Sequence, residues 1–263
     1  MKLLHFSDPH VQLPRWRERG LRELGPLRAL ATVELWKGRG GEYDDALEKL
    51  RAIVRLGEAA DHVVCTGDLT QLGHAEEFAL AREALAPLEG KLTVIPGNHD
   101  RYPLGARPNR LFEESFPGQG AEVVLVGSGL ALIKLDTAGE VSWPVISRGT
   151  ARGLDDLSRA LRAPALDGRC KLVLVHHAPV RANGRPDFAW HSLRGARALL
   201  QAAAEGGAQA ILCGHLHERY DVPAAPGRAR VLCAGSSTRR GDEGCWELQI
   251  EGGAISSATM RGL

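Results

Sequence analysis

Five short polar clusters, each at the end of an apolar run, are the feature that most constrains how this chain can fold. Each cluster carries aspartate, asparagine or histidine: Asp8-Pro9-His10, Gly67-Asp68, Gly97-Asn98-His99-Asp100, His176-His177 and Gly214-His215-Leu216-His217. In an open α/β sheet, ligands bind beyond the carboxyl ends of the strands. If the apolar runs are strands, their ends bring carboxylate, amide and imidazole groups to one place. Histidines that serve only a core have no reason to follow this pattern.

Each apolar run before a cluster has the length and composition of a buried strand. The runs cover residues 2–6, 62–65, 92–95, 171–175 and 210–213. They are nearly continuous and rich in valine, isoleucine and leucine, which is typical of strands covered on both faces. The same criteria predict further strands at 122–127, 130–136, 229–234, 245–250 and 254–260.

Helical patterns alternate with the early strands. Apolar residues recur at helical spacing over 43–56, 74–88, 154–161 and 193–204. Thr150 and Ser192 are the expected N-cap residues of the last two helices. The alternation predicts an α/β fold in a single domain over 1–263, with parallel strands first and hairpins later.

The composition disfavours several classes of protein. A formal net charge of +1 over 263 residues gives no basic field for nucleic acid or an anionic membrane. No run approaches the ~20 apolar residues that span a bilayer, and the apolar start is too short for a secretory signal. We therefore expect a cytoplasmic protein with no membrane partner. The five cysteines form no C-x-x-C pair, so we expect buried thiols rather than a thiolate zinc site.

The segment 11–41 is much longer than an ordinary strand-to-helix connection of about 2–6 residues. It is rich in arginine, contains Trp16 and Trp36, and has a helical pattern over 21–35. A long insertion after a strand that carries ligands is often a lid. Its arginines either cover a solvated helix face or contact a substrate phosphate. Its tryptophans either anchor the insertion or stack on a base.

The number of donors in the clusters indicates more than one metal ion. Two aspartates, one asparagine and at least four histidines exceed the three or four protein ligands of a single catalytic zinc. Such a set suits two ions about 3.5–4 Å apart that share a carboxylate and a water. Nitrogen and oxygen donors without thiolate favour divalent Mn, Fe, Zn or Co over copper(I), and over magnesium alone. The identity of the two transition-metal ions stays open.

The motifs D-x-H, GD, GNHD, HH and GHxH follow one another between Asp8 and His217. In this order they resemble the calcineurin-like metallophosphoesterases. The variant with His10, Asn98 and a His-His pair is most similar to the bacterial class III cyclic nucleotide phosphodiesterases and the related glycerophosphodiesterases. The resemblance implies a four-layer α/β/β/α sandwich and a binuclear hydrolase of phosphate esters, in which a hydroxide between the two metals attacks phosphorus.

The resemblance also implies a role for each motif residue. Asp68 would bridge the two ions. The other metal ligands would be Asp8, His10 and His217 at the first ion, and Asn98, His176 and His215 at the second. His99 would face the substrate phosphate, and Asp100 would orient the His99 ring through a hydrogen bond.

The His176-His177 pair leaves a choice between two ligands. The family often has His-His-Pro-Pro where this chain has His176-His177-Ala178-Pro179. Counting from the strand end selects His176, and counting two residues back from Pro179 selects His177. His176 is favoured because both histidines then align without a gap. The remaining histidines, His5, His62, His74 and His191, are assigned no role in the site.

Several functions are compatible with these motifs. The first is hydrolysis of a small phosphodiester, such as a cyclic nucleotide or a glycerophosphodiester. The second is a phosphomonoesterase acting on a nucleotide, a sugar phosphate or a phosphoprotein. A nuclease is disfavoured by the near-neutral charge, and a scaffold without activity would not need a full ligand set. The natural substrate is not specified, and a homo-oligomer is compatible with the pattern of the late strands.

Overall fold

Two large β-sheets and one small one form the framework of the protein. The structure, a computed structural model, describes residues 1–18, 39–102, 109–139 and 147–263. The strands, in chain order, are β1 (Lys2–Phe6), β2 (His62–Cys65), β3 (Leu92–Val94), β4 (Val123–Val126), β5 (Leu130–Lys134), β6 (Gly149–Thr150), β7 (Cys170–His177), β8 (Leu193–Arg194), β9 (Ala210–Gly214), β10 (Arg219–Val222), β11 (Val231–Ala234), β12 (Cys245–Glu251) and β13 (Ala254–Arg261).

Helices connect the strands and cover the sheets. The α-helices are α1 (Ala46–Glu58), α2 (Ala75–Leu85), α3 (Leu111–Ser115), α4 (Leu154–Leu161) and α5 (Ala196–Glu205). Short 3-10 turns lie at Trp16–Glu18, Arg39–Glu42, Ala86–Leu88, His99–Arg101, Pro117–Gln119 and Pro164–Leu166. Among the described helices, none has the length and apolar character needed to cross a membrane.

The strand order places parallel strands at the centre of both large sheets. The five-stranded sheet has the order β13-β12-β1-β2-β3, and the six-stranded sheet has the order β10-β11-β9-β7-β5-β4. Strands β1, β2 and β3 are parallel, as are β5, β7, β9 and β11. The pairs β4–β5 and β12–β13 are antiparallel hairpins. The prediction of parallel strands first and hairpins later holds for the five-stranded sheet only, because the hairpin β4–β5 precedes the parallel strands β7, β9 and β11.

Alternation along each strand divides the apolar side chains between two layers. In β1, Leu3 packs between the two sheets, whereas Leu4 and Phe6 pack under α1 and α2. In β7, Leu172 lies between the sheets and Val173 lies under α4 and α5. Side chains on a strand point alternately to its two faces, so one apolar run serves two cores. The result is the predicted four-layer α/β/β/α sandwich.

Two predicted helix starts are wrong for the same physical reason. Thr150 does not cap α4, because it lies in β6 and pairs with Arg194 of β8. Ser192 does not cap α5, because the chain first forms β8 and then turns at Gly195. Both helices instead start after a left-handed glycine, at Gly153 and Gly195.

The predicted insertion at 11–41 lies partly outside the described residues, which include 11–18 and 39–41 but not the rest of it. The helical pattern at 21–35 and Trp36 fall in the part that is not described. Trp16 is buried, with 4% of its surface exposed, and clusters with Leu13 and Leu72. Trp16 therefore anchors the start of the insertion and presents no open face to a base.

His62 makes the stability of the fold depend on pH. It is buried at the start of β2, and its Nε2 lies 2.9 Å from the Thr93 hydroxyl. Burial lowers the pKa of His62 from 6.5 to about 4. The unfolded chain therefore binds more protons at this residue below pH 6.5, and the folded state loses stability as the pH falls towards 4. A pKa difference of this size corresponds to about 3 kcal/mol.

We expect the variant His62→Gln to have a flatter pH dependence of unfolding. Glutamine retains a hydrogen-bonding group for Thr93 but does not titrate. Urea unfolding between pH 7 and pH 4 should show a smaller loss of unfolding free energy in the variant than in the unaltered protein. Parallel curves for the two proteins would contradict the assignment of a neutral, buried His62.

Candidate metal centre

All five predicted clusters meet at one edge of the sandwich. Asp8 and Asp68 follow β1 and β2, and Asn98 follows β3. His176 lies near the end of β7, and His215 follows β9. The contacts described below join these residues across the two sheets. The structure thus brings together every residue that the sequence predicts as a metal ligand.

A first group of donors consists of Asp8, His10, Asp68 and His217. One ligand atom from each lies within 4.8 Å of the others. His217 Nε2 lies 3.0 Å from His10 Nε2 and 3.2 Å from Asp8 Oδ1. The Tyr43 hydroxyl lies 3.2 Å from the other ring nitrogen of His217. If Nδ1 carries the proton and donates to Tyr43, then Nε2 has a lone pair for a cation.

A second group contains His176 and His215, with Asn98 between them. Asn98 Oδ1 lies 3.0 Å from His176 Nε2 and 3.1 Å from His215 Nδ1. His176 Nδ1 donates to the Thr66 carbonyl at 2.8 Å, and His215 Nε2 donates to the His191 carbonyl at 3.2 Å. These backbone hydrogen bonds occupy one nitrogen of each ring, so the nitrogen near Asn98 is the one that can bind a metal ion.

Asp68 connects the two groups. Its Oδ2 lies 3.8 Å from His10 Nε2 in the first group and 3.4 Å from His176 Nε2 in the second. Burial alone would raise the pKa of Asp68, but the nearby His176 and His99 rings hold it well below its usual range. Burial likewise disfavours the charged form of His176, yet the Asp68 carboxylate raises the pKa of His176 to about 10. Asp68 is therefore an ionised carboxylate in contact with both halves of the site.

Left-handed backbone conformations are concentrated at the candidate ligands. Asp8, His10, Asp68, His215 and His217 have φ between 45° and 72°. Among the described non-glycine residues, Arg15 alone shares this feature. Such conformations cost of order 1–3 kcal/mol each and persist where the surrounding structure enforces them, often at functional sites.

Two glycines before the ligands are required by close packing. A Cβ at Gly97 would lie 2.0 Å from Asp68 Oδ1, and a Cβ at Gly214 would lie 2.1 Å from Asp8 Oδ2. Neither position can hold a side chain without displacing a carboxylate. Glycine is therefore required before Asn98 and before His215, because the carboxylates of Asp68 and Asp8 occupy the space that a side chain would need.

The predicted hydrogen bond from Asp100 to the His99 ring is wrong. His99 Nδ1 donates instead to the Gln71 carbonyl at 2.7 Å. The Asp100 carboxylate accepts from the backbone of Leu69, Thr70 and Gly97 and from the Thr70 hydroxyl. Burial and the charge of Asp68 raise the pKa of Asp100 to about 6. Asp100 thus joins the loops that carry Asp68 and Asn98, and its described hydrogen bonds do not include one to the His99 ring.

His176 and His177 have different environments. His176 Nε2 lies near Asp68 and Asn98, as described above. His177 Nδ1 lies 3.0 Å from the Thr137 hydroxyl, and its ring centroid lies 4.4 Å from that of His215. Burial and the neighbouring His176 lower the pKa of His177 well below its usual value. His177 also falls within reach of the second group, but only His176 contacts Asp68.

Several residues outside the predicted ligand set support the site. The Ser236 and Thr238 hydroxyls donate to the carbonyls of Asp8 and Pro9 at 2.7 and 2.6 Å. His191 stacks on His215 with ring centroids 4.1 Å apart. Neither a single histidine nor a serine-rich turn has a sequence pattern that distinguishes these supporting roles from the hydrogen bonds of an ordinary surface loop.

Two further histidines outside the predicted ligand set, His5 and His74, make contacts that support the fold. His5 Nε2 lies 3.0 Å from the Thr66 hydroxyl, and burial with the charge of Arg219 lowers its pKa to about 3. His74 caps α2 with a reciprocal bond to Glu77. The Arg219 guanidinium, whose charge acts on His5, donates hydrogen bonds to the carbonyls of Ala234 and Asp242.

The donors fit divalent transition metals better than softer or harder ions. The two groups offer imidazole nitrogens and carboxylate or amide oxygens, and no sulfur. All five cysteines are buried free thiols, as predicted. His10 Nε2 and His217 Nε2 face each other 3.0 Å apart, an arrangement that a cation between them would stabilise. The mixed set suits Mn, Fe or Zn.

The family profile of calcineurin-like phosphoesterases matches residues 1–219. This chain belongs to the calcineurin-like phosphoesterase family. The match contains every candidate ligand and ends before β11, β12 and β13. The metal-dependent character of the family agrees with the two donor groups.

Related proteins of known name include phosphodiesterases. A probable cyclic nucleotide phosphodiesterase of Rhodococcus erythropolis is 30% identical over 195 residues, covering 67% of this chain and 60% of the relative. The 3′,5′-cyclic adenosine monophosphate phosphodiesterase CpdA of Escherichia coli K12 is 30% identical, covering 84% of this chain and 71% of the relative. The glycerophosphodiester phosphodiesterase GpdQ of Enterobacter lignolyticus is 47% identical, but covers only 38% of this chain and 30% of the relative.

Solved structures confirm the fold at low sequence identity. A purple acid phosphatase from yellow lupin has a TM-score of 0.59 at 14% identity, covering 98% of this chain and 53% of that chain. The sulfate thiohydrolase SoxB of Thermus thermophilus has a TM-score of 0.56 at 17% identity, covering 100% of this chain and 56% of that chain. This chain therefore spans only part of the length of several proteins that it resembles.

We expect Gly97→Ala to weaken metal binding, because the new methyl group would occupy the position of Asp68 Oδ1. Displacement of a supporting group around a metal site typically weakens affinity about 10–100-fold. Titration of the metal-free protein with Mn²⁺ measures the effect. Gly118→Ala is the matched control, since nothing lies within 4 Å of a Cβ there. Equal affinities in the two variants would contradict the packing described for Asp68.

Proposed function

We propose that this protein is a binuclear metal-dependent phosphodiesterase that acts on a small substrate of the cyclic nucleotide or glycerophosphodiester class. The observation that carries the proposal is the position of Asp68, whose carboxylate contacts a histidine of each donor group. A carboxylate between two sets of imidazole and oxygen donors is the arrangement that two-metal hydrolases use. CpdA and GpdQ, both named as phosphodiesterases, support the substrate class.

Seven residues are proposed to hold the two ions. Asp68 is shared by both, and the others are Asp8, His10 and His217 for the first ion and Asn98, His176 and His215 for the second. His176 is preferred to His177 because its Nε2 lies 3.4 Å from Asp68 Oδ2 and 3.0 Å from Asn98 Oδ1. When bound, divalent Mn, Fe or Zn supplies Lewis acidity towards phosphoryl oxygens and produces a nucleophile from water at neutral pH.

His99 is the residue proposed to act on the substrate itself. The Gln71 carbonyl accepts a hydrogen bond from Nδ1–H of His99, and this bond holds the ring in one orientation. Nε2 lies 4.0 Å from Asp68 Oδ2 and 3.5 Å from the Tyr102 hydroxyl. A second proton on Nε2 makes the ring a cation, which can bind a phosphoryl oxygen and pass that proton to the leaving alkoxide.

Asp100 is proposed to support this chemistry through the backbone. Its carboxylate accepts hydrogen bonds from the backbone N–H of Leu69, in the loop that carries Asp68, and of Gly97, in the loop that carries Asn98. The His99 backbone N–H in turn donates to Asp68 Oδ1 at 2.8 Å. The shared carboxylate and the proposed proton donor are therefore held in one hydrogen-bonded unit.

We expect metal-loaded protein to hydrolyse bis(p-nitrophenyl) phosphate at least about tenfold faster than p-nitrophenyl phosphate, in terms of kcat/KM. Removal of metal with a chelator should abolish both activities, and added Mn²⁺ should restore them. The opposite ratio of the two substrates would favour the phosphomonoesterase. Full activity after complete metal removal would contradict a metal-dependent reaction.

Two histidine variants separate the proposed chemistry from general damage. His99→Ala should retain metal but lower kcat about 100-fold, because a positioned acid or base contributes roughly that much. His74→Asn is the control, since asparagine is itself a good N-cap for α2. Loss of metal from His99→Ala would overturn its assignment as a residue that faces the substrate.

A further inference from the structure

Two exposed aromatic rings project from the segment between β7 and β8. Phe188 and Trp190 are 56% and 63% exposed, which is unusual for large apolar side chains. Their rings are stacked, with an angle of 5° between the planes and 5.3 Å between the centroids. The stack covers one face of each ring, and Trp190, the more exposed of the two, keeps its outer face open to solvent. We call this pair the aromatic platform.

The segment that carries the platform is held in place by polar contacts. The Asp187 carboxylate accepts from His191 Nδ1 at 2.6 Å. The Arg181 guanidinium lies over the Phe188 ring, 5.3 Å from its centroid, and 3.8 Å from Asp187. The Ser147 hydroxyl donates to the Trp190 carbonyl at 3.2 Å. These contacts hold the exposed stack in a defined position within the loop. Keeping two large apolar side chains in water is unfavourable, which is why we consider a binding function for them.

The platform adjoins the candidate metal centre through His191. The His191 ring stacks on His215 at 4.1 Å, and its carbonyl accepts from His215 Nε2. Trp190 is the next residue in the chain, and consecutive Cα atoms are ~3.8 Å apart. The platform is therefore carried by a loop that contacts the second donor group, and the proposal requires that a base attached through a sugar to a phosphate at the metal centre reach it.

We propose that Trp190, backed by Phe188, binds the base of a nucleotide substrate by stacking, which makes the substrate a nucleotide phosphodiester rather than a glycerophosphodiester. This inference rests on the proposed phosphodiesterase function and narrows its substrate class. Every nucleobase has a π face that stacks on aromatic side chains. A glycerol or ethanolamine group has none and gains little from the platform.

Another tryptophan that the structure describes, Trp16, does not supply such a surface. Trp16 follows the ligands of β1 but is buried against Leu13 and Leu72. The platform is instead continuous with His191 and His215, on the side of the second donor group. The open ring face of Trp190 and the contact of its loop with the second donor group favour a base over a lipid chain or a protein partner.

Binding of two products tests this proposal without relying on turnover. Adenosine monophosphate and ribose 5-phosphate share a sugar and a phosphate, but only the first has a base. Calorimetric titration of the metal-loaded protein should show about tenfold tighter binding of adenosine monophosphate. Trp190→Ala should reduce that preference towards one, and Trp190→Phe should retain most of it because it keeps an aromatic face.

A matched control and a second measurement keep the result specific. Leu125→Ala removes another exposed apolar side chain, 50% exposed on β4, and should leave the preference as it is. In turnover, Trp190→Ala should lower the ratio of kcat/KM for 3′,5′-cyclic AMP to that for glycerophosphoethanolamine by a similar factor. A stable Trp190→Ala protein with an unchanged ratio would overturn the stacking role.

The possible failures are distinguishable. If the protein hydrolyses phosphodiesters but binds both products equally, the platform proposal fails and the proposed function stands. If it hydrolyses no phosphoester and binds neither product, the proposed function fails, and the platform proposal fails with it. A third result would assign the platform to a membrane and contradict base stacking. In that case the unaltered protein binds neutral lipid vesicles, and Trp190→Ala loses this binding but keeps the preference for adenosine monophosphate.

Discussion

The contact of one buried carboxylate with two groups of imidazoles is the interaction on which the rest of this site depends. Asp68 lies between His10 and His176, which come from opposite sheets of the sandwich. A carboxylate away from water is costly unless it has charged or hydrogen-bonding partners. The partners here are histidines at the ends of β1 and β7, so the two sheets must meet at this edge for Asp68 to remain ionised.

The surrounding structure holds Asp68 and its neighbours in conformations that the isolated chain would avoid. Five of the candidate ligands have left-handed backbones, and Gly97 provides the space for the Asp68 carboxylate. Asp100 and the Ser236 hydroxyl fix the loops by hydrogen bonds to backbone groups. Stability contributed by the buried layers thus offsets local strain at the site, and the strained conformations hold the oxygen and nitrogen donors close together.

Much of the fold and the ligand set could be predicted from the sequence because both depend on local patterns. β1 and β2 are mostly apolar runs with the predicted bounds, and each is followed by a polar cluster. β10 was not predicted, because it is a short edge strand with polar Arg219 and Asp221. The β6–β8 pair was also missed, since it joins residues 44 positions apart. Carbonyl groups such as those of Gln71 and His191 leave no trace in the sequence, so the orientation of His99 and His215 needed the structure.

Anomalous diffraction from crystals of the protein grown with Mn²⁺ tests most directly whether two ions share Asp68. The proposed centre predicts two anomalous peaks in each chain, with the Asp68 carboxylate in contact with both. His10 should contact one of the two ions, and His176 should contact the other. A single peak, or two peaks of which Asp68 contacts only one, would contradict the shared carboxylate and with it the binuclear centre.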